Sequence, residues 1–240
     1  MVIELPQKDW GHWDDYVRAH PCGTIFHSTS WLQAVGRRVR VLVQMEDDEI
    51  QGGLALTRSR KYGLVGYHNP PYTPYGGPLF GGQDLGSLSF GSRYNEAVKG
   101  LFQSFGKVSQ IDFILPPQGQ DLLPYKSVGF DVSVGITHRV TPRSAESSPQ
   151  IHGSKRRYLR KLLRLLDSSE ISAGWDVEDS SALDLWKDTA DRKGFTGNLE
   201  CLARLRQSLP RENLRTLVLH TNREEVLAAC ICAQDERCYY

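Results

Sequence analysis

Trp10, Trp13 and Val17 recur at the spacing of one helix face, which predicts a helix over residues 8–19. A second helix follows over 28–36, with Trp31, Leu32 and Val35 on one side. From residue 39 the period changes. Apolar runs at 39–45 and 49–57 flank Asp47-Asp48, the pattern of a hairpin. A third strand is expected over 61–68. Residues 69–92 read as a long loop rich in Pro, Gly and Tyr. Loops of that length are usually functional or disordered, and the aromatic content argues against disorder. A helix over 93–105, a strand over 110–115, a short helix over 121–128 and a strand over 130–137 complete a first unit. Residues 139–153 are polar, carry Pro142 and Pro149, and read as a linker.

The second half begins again in the same order. A helix over 154–166 leads into a strand over 171–177. Ser181 and Asp184 have capping-box spacing and open a helix that Gly194 can end. A further helix over 198–208 stops at Pro210. Runs at 214–220 and 225–233 flank Asn222-Arg223 as a second hairpin, and residues 237–240 start another strand. With a short strand expected over 2–5 at the start of the first half, strand, helix, helix, hairpin, strand occurs twice, and the hairpins align as VLVQMEDDEIQGGLAL with LVLHTNREEVLAACIC. The expectation is an α/β (α+β) protein of two mixed-sheet domains in tandem: 1–140, a linker 141–153, and 154–240. The second lacks the later elements of the first, so it is expected to be incomplete at its C-terminus.

Composition narrows the function. The 240 residues carry 29 basic and 28 acidic side chains, a net charge of +1. A general DNA binder would be basic overall, so any basic site is local. No apolar run reaches the roughly 18 residues of a membrane span, and the N-terminus lacks a signal pattern. Cys22, Cys201, Cys230, Cys232 and Cys238 show neither zinc-ligand spacing nor a disulfide framework, so a cytoplasmic setting and no metal are expected.

The local basic site is SKRRYLRKLLRLL, residues 154–166. On a helical wheel Tyr158, Leu159, Leu162, Leu163, Leu165 and Leu166 fill one side, expected to be core. Arg156, Arg157, Arg160, Lys161 and Arg164 fill the other. Lys155, Arg156 and Arg157 lie in the first turn, where the helix dipole disfavours cations by roughly 0.3–1 kcal/mol each. A bound anion would relieve that cost. The alternatives are a solvated face, or one paired with Asp176, Glu178, Asp179 and Asp184. RNA or peripheral contact with a membrane would also suit it.

The element order matches that of GNAT acyltransferases, and YKSVGF (125–130) looks like a junction common near the end of GNAT domains. The doubled order with a basic helix resembles the Fem family of peptidyltransferases and the related BioF2-like acetyltransferase domains. TIFHSTSWLQAV (24–35) looks like that family's F-x-S-x-x-W opening. NPPYTPYGGPLF (69–80) is similar to its Pro/Gly substrate loop, and residues 154–172 to its R-x-x-x-R-K helix leading into a strand. The resemblance implies cell-envelope precursor or polysaccharide chemistry of bacterial type. Its donor would be acyl-CoA or aminoacyl-tRNA, and its acceptor a nucleotide-linked or lipid-linked amine. One feature departs from a CoA-binding GNAT: RKYGLVG (60–66) has the wrong spacing for the pyrophosphate turn and precedes a strand.

The candidate substrate-binding set is Arg156, Arg157 and Arg160, with Tyr75, Gly76 and Gly77 of the loop and Arg38, Arg192 and Lys193. The set is expected to hold an anionic group near the junction of the two domains. Arg192 and Lys193 are also explained by the helix C-terminus they occupy. His68, beside the loop, is an acid/base candidate by type only, and catalytic residues are not readable. Two functions fit: an acyl- or aminoacyltransferase, or a non-catalytic module that binds a phosphorylated ligand or a protein.

Overall fold

The computed structural model describes residues 1–35, 38–81, 88–117, 121–136, 153–175, 181–194 and 198–235. Two compact units emerge. The first comprises Met1–Val134 with Glu200–Leu209, and the second Gly135–Leu199 with Pro210–Tyr240. The helix expected within the second domain therefore contributes its Glu200–Leu209 segment to the first unit.

The first unit is built on a mixed sheet of β1 (Val2–Glu4), β2 (Val39–Glu46), β3 (Glu49–Lys61), β4 (Leu64–His68), β5 (Leu79–Phe80) and β6 (Gln110–Asp112). The order is β1-β2-β3-β4-β6, with β5 paired to β3. The pairs are antiparallel except β4 with β6, which is parallel. Asp47 and Asp48 both take left-handed φ, 48° and 63°, which matches the twist of a two-residue hairpin. Tyr62 and Gly63 repeat the device between β3 and β4, at φ 52° and 83°. The strand expected from residue 61 is thus shorter, because its first residues form a turn.

Alternation along β2 assigns each face its own cover. Val41 and Val43 pack with Trp13 and Val17 of α1 (Trp10–Ala19) and Leu32 of α2 (Thr29–Val35). Leu42, with Leu54 and Leu56 of β3, packs under Tyr94, Val98 and Leu101 of α3 (Leu88–Gln103) and Tyr125 of α4 (Leu123–Ser127). Phe102 stacks on Phe113, with ring centroids 5.6 Å apart and planes 7° apart, and meets Phe130 edge-on. The strand expected over 130–137 is absent from the described part of that range. Val134 and Ile136 are exposed, and residues 130–136 have no ladder partner.

The second unit holds α5 (Gly153–Asp167), β7 (Ile171–Trp175), α6 (Ser181–Lys193), β8 (Leu214–Thr221) and β9 (Val226–Ala233), and α7 (Leu199–Ser208) begins in it. Its sheet is β7-β8-β9, antiparallel throughout. Here the internal repeat becomes a matter of register. Val2 and Glu4 of β1 pair with Gln44 and Leu42. Ser172 and Gly174 of β7 pair with His220 and Val218, the residues aligned with those two. The return strand of each hairpin also carries one extra residue at an aligned place, Gln51 in β3 and Leu227 in β9. The second hairpin turns on three residues rather than two. Glu224 N–H bonds Thr221 O at 3.0 Å, and Glu224 itself is left-handed at φ 64°. Residues 237–240 and most of the 141–153 linker lie outside the described residues.

α5 ends in a Schellman motif: Ser169 N–H bonds Leu166 O, Glu170 N–H bonds Leu165 O, and Ser169 is left-handed. Gly194 ends α6 at φ 68°, as its sequence position implied. One expectation for α5 fails. Its apolar side is not core, since no residue of the helix is buried. Tyr158, Leu159 and Leu163 are exposed, while Leu162, Leu165 and Leu166 are partly covered. The partly covered residues all lie in its C-terminal half.

Candidate functional site

The Pro/Gly loop leaves the carboxyl end of β4 and returns as β5. Adjacent parallel strands joined by a helix have a crevice at their carboxyl ends, where open α/β sheets bind ligands. Here those ends are His68 and Asp112, register partners on β4 and β6. The loop is tied across them: Gly76 and Gly77 N–H groups both donate to Ile114 O, at 3.0 and 3.2 Å. A Cβ on Gly76 would meet Asn69 Oδ1 at 2.5 Å, and one on Gly77 would meet Leu115 Cδ2 at 2.4 Å. Gly77 is therefore packed closely on the segment after β6, and Gly76 on the Asn69 side chain at the start of the loop. Their N–H groups point to that carbonyl rather than to solvent.

The underside of the loop rests on the other quoted motif. Trp31 Nε1 donates to Thr73 Oγ1 at 3.0 Å, and Thr73 Oγ1 donates to Pro71 O at 3.2 Å. Phe26 meets Trp31 edge-on at 4.8 Å and Tyr75 at 6.2 Å. α2 is fixed at its start by Asp14, whose carboxylate accepts from Thr29 N–H at 2.7 Å and Thr29 Oγ1 at 2.5 Å. An anion at a helix start is favoured by the dipole. Tyr75 is half-buried, with Phe26 against its ring.

At the centre lies His27, 1% exposed. Thr24 N–H donates to its Nδ1 at 3.3 Å, and Thr24 Oγ1 lies 2.8 Å from the same atom. Nδ1 as acceptor places the ring proton on Nε2. That nitrogen makes no hydrogen bond of good geometry, although the Gly77 backbone beside it favours the proton. Burial outweighs this and, with His20 nearby, pushes the imidazole down to about 4. His27 is therefore a neutral strut beneath Gly77.

The basic helix is the other half of the candidate set. Arg156, Arg157 and Arg160 are all exposed on α5. Lys161 and Arg164 extend the same cationic face, also exposed. Arg38, exposed after α2, lines an open groove of about 720 Å³ with Glu4, Gln7, Trp10 and Gln33. Arg192 and Lys193 are exposed in the last turn of α6.

No family model matches the chain. No curated protein matches it either. Solved structures do. A crystal structure of FemX superposes with a TM-score of 0.55 at 16% identity, covering 92% of this chain and 58% of that one. The chain has a Fem-like fold. A tandem GNAT protein from the clavulanic acid biosynthesis pathway, solved without AcCoA, is a more distant match. It aligns at 9% identity over 98% of this chain and 74% of that one, with a TM-score of 0.43. The chain thus spans under two thirds of the length of the FemX chain it matches.

Within this Fem-like fold the first unit brings together two of the three stretches that carried the resemblance. Phe26 and Trp31 of the opening motif clamp Thr73 and Tyr75 of the loop. His27, Thr24 and Thr73 were not singled out from the sequence. The i,i+3 spacing of Thr24 and His27 was the available signal, but many turns share it. Among the described residues no group of three His, Cys, Asp or Glu side chains is placed to hold a metal ion. No helix among them is long and apolar enough to cross a membrane.

Proposed function

We propose that the protein is an acyl- or aminoacyltransferase that joins an acyl group to an amine on a phosphate-bearing acceptor. The likeness of fold to FemX carries the reading and supports transferase chemistry. The exposed cations of α5 support the phosphate-bearing acceptor. Arg156 sits in the first turn of α5 and Arg157 follows it, near the helix start where the dipole disfavours cations and favours a bound anion. Guanidinium forks suit phosphate oxygens. Holding donor and acceptor in register would supply much of the rate. The loop seated on His27 and Trp31 would supply a rigid wall for that purpose, with Tyr75 as its contact residue.

A second reading has its own observation. Gly76 and Gly77 N–H groups are engaged by Ile114 O, so these two are not ready donors for a tetrahedral oxyanion. That favours a module which binds a phosphorylated ligand without turning it over. The two readings separate in one experiment. The protein is offered labelled acyl-CoA or aminoacyl-tRNA together with nucleotide-linked and lipid-linked amines. A new amide on an acceptor, from either donor, supports the transferase and names its donor. Tight binding of the acceptor without amide formation from either donor favours the binding module.

A further inference from the structure

β9 places Cys230 and Cys232 two residues apart, so both side chains leave the strand on one face. Their sulfurs are 3.5 Å apart. Cys230 is exposed and Cys232 partly so. Across the ladder Cys230 faces Leu217 and Cys232 faces Arg215. The Arg215 guanidinium lies over the Trp175 ring at 4.7 Å, which keeps a cation on the strand beside Cys232. By contrast, Cys22 and Cys201 are buried.

We propose that Cys230 and Cys232 form a redox-active dithiol that exchanges with low-molecular-weight disulfides of the glutathione class. Cys230 Sγ, as thiolate, attacks one sulfur of the small disulfide. An S–S bond forms between them, and the other half leaves as a thiol after taking up a proton. Cys232 then loses its proton to solvent and attacks Cys230 Sγ. This forms the 230–232 disulfide and releases the second half as a thiol. Two protein thiols are oxidised and one small disulfide is reduced to two thiols.

The order of attack follows from the surroundings. Burial, with its contact to Cys230, raises Cys232 to about 11, so Cys232 is not the sulfur that attacks first. Cys230 is the more accessible sulfur. Residues i and i+2 of a strand lie about 6.6–6.8 Å apart between Cα atoms. Disulfides bridge about 4.4–6.8 Å, so this one forms at the edge of the range. A strained, exposed disulfide is easily reduced again, which is the behaviour of a regulatory bond. Transient disulfides of this kind suit a reducing compartment. Closing the bond shortens β9 opposite Leu217 and Arg215, so oxidation loosens the β8–β9 pairing.

The test uses the folded protein in glutathione buffers of rising oxidised fraction, followed by alkylation and tryptic mapping. The peptide spanning 224–237 contains both cysteines and excludes Cys238. The expected result is loss of two hydrogens from that peptide without alkylation, reversed by reduced glutathione. Cys232→Ser should instead hold one glutathione at Cys230. A wild-type peptide that stays doubly alkylated in oxidised buffer, or that carries stable glutathione without the internal bond, would overturn the proposal.

Discussion

His27 shows at the scale of one residue how a structural role hides in a sequence. It sits inside the F-x-S-x-x-W stretch, between Phe26 and Ser28, and a lone histidine there carries little signal. Only the fold shows that it is buried under Gly77. Its folded value of about 4 lies below the ordinary 6.5. The unfolded chain therefore binds the proton first as pH falls. Stability is full above the unfolded value and declines as pH drops from about 6.5 towards 4, by on the order of 3 kcal/mol. His27→Asn, which keeps an acceptor near Thr24 but does not titrate, should lose much less on acidification, as chemical denaturation at several pH values would show. Equal losses in both proteins would place the acid sensitivity elsewhere. Gly53 makes a second residue-level case. A Cβ there would meet Trp13 Cζ3 at 2.6 Å and Leu42 O at 2.7 Å. Gly53→Ala should cost about 1–3 kcal/mol as overpacking, read as a lower denaturation midpoint. The sequence showed the Gly52-Gly53 pair, but not the indole that requires it.

At the scale of elements, both hairpins, α1, α2 and α6 were legible because each has a strong period and clear turn residues. Two elements were misread for different reasons. The apolar residues of 130–137 promised a strand, but a strand needs a neighbour, and periodicity does not supply one. The stripe of α5 promised a core helix, yet an amphipathic pattern does not say what covers it. α7 shows the complementary limit. Its Glu200–Leu209 segment follows the second unit's helices in sequence but packs within the first unit. Arg204 Nε donates to Ala34 O at 3.0 Å and Cys201 Sγ approaches Val35 O at 3.9 Å, satisfying carbonyls at the end of α2. Leu205 is wholly buried. Leu205→Ala should therefore destabilise the first unit by about 2–5 kcal/mol, visible as faster hydrogen exchange in α2. Unchanged exchange in α2 would separate α7 from that unit. On α5, Arg156→Ala with Arg157→Ala should weaken a phosphorylated ligand roughly tenfold, about 1.4 kcal/mol. Stability should hold or rise slightly, because cations leave a helix start. Unchanged affinity with lower stability would make these arginines structural.

Across the whole molecule, the repeat was the most legible feature, because a supersecondary unit leaves the same pattern wherever it recurs. The matched registers of β1 with β2 and β7 with β8 give that pattern a physical form. The candidate site was less legible. Loop and basic helix were found by composition, whereas the bonds that set the loop's shape involve Ile114, which no motif marks, and Thr73, which nothing distinguishes within its motif. The acceptor's phosphate is the point on which the functional account turns. The initial rate of amide formation should be compared on an acceptor amine with and without its phosphate, for wild-type protein and for a variant with Arg156, Arg157 and Arg160 changed to Ala. The account predicts a rate that falls at least tenfold when either the phosphate or the arginines are removed, with little further loss when both are. Equal rates on both acceptors, unaffected by the arginine changes, would contradict it.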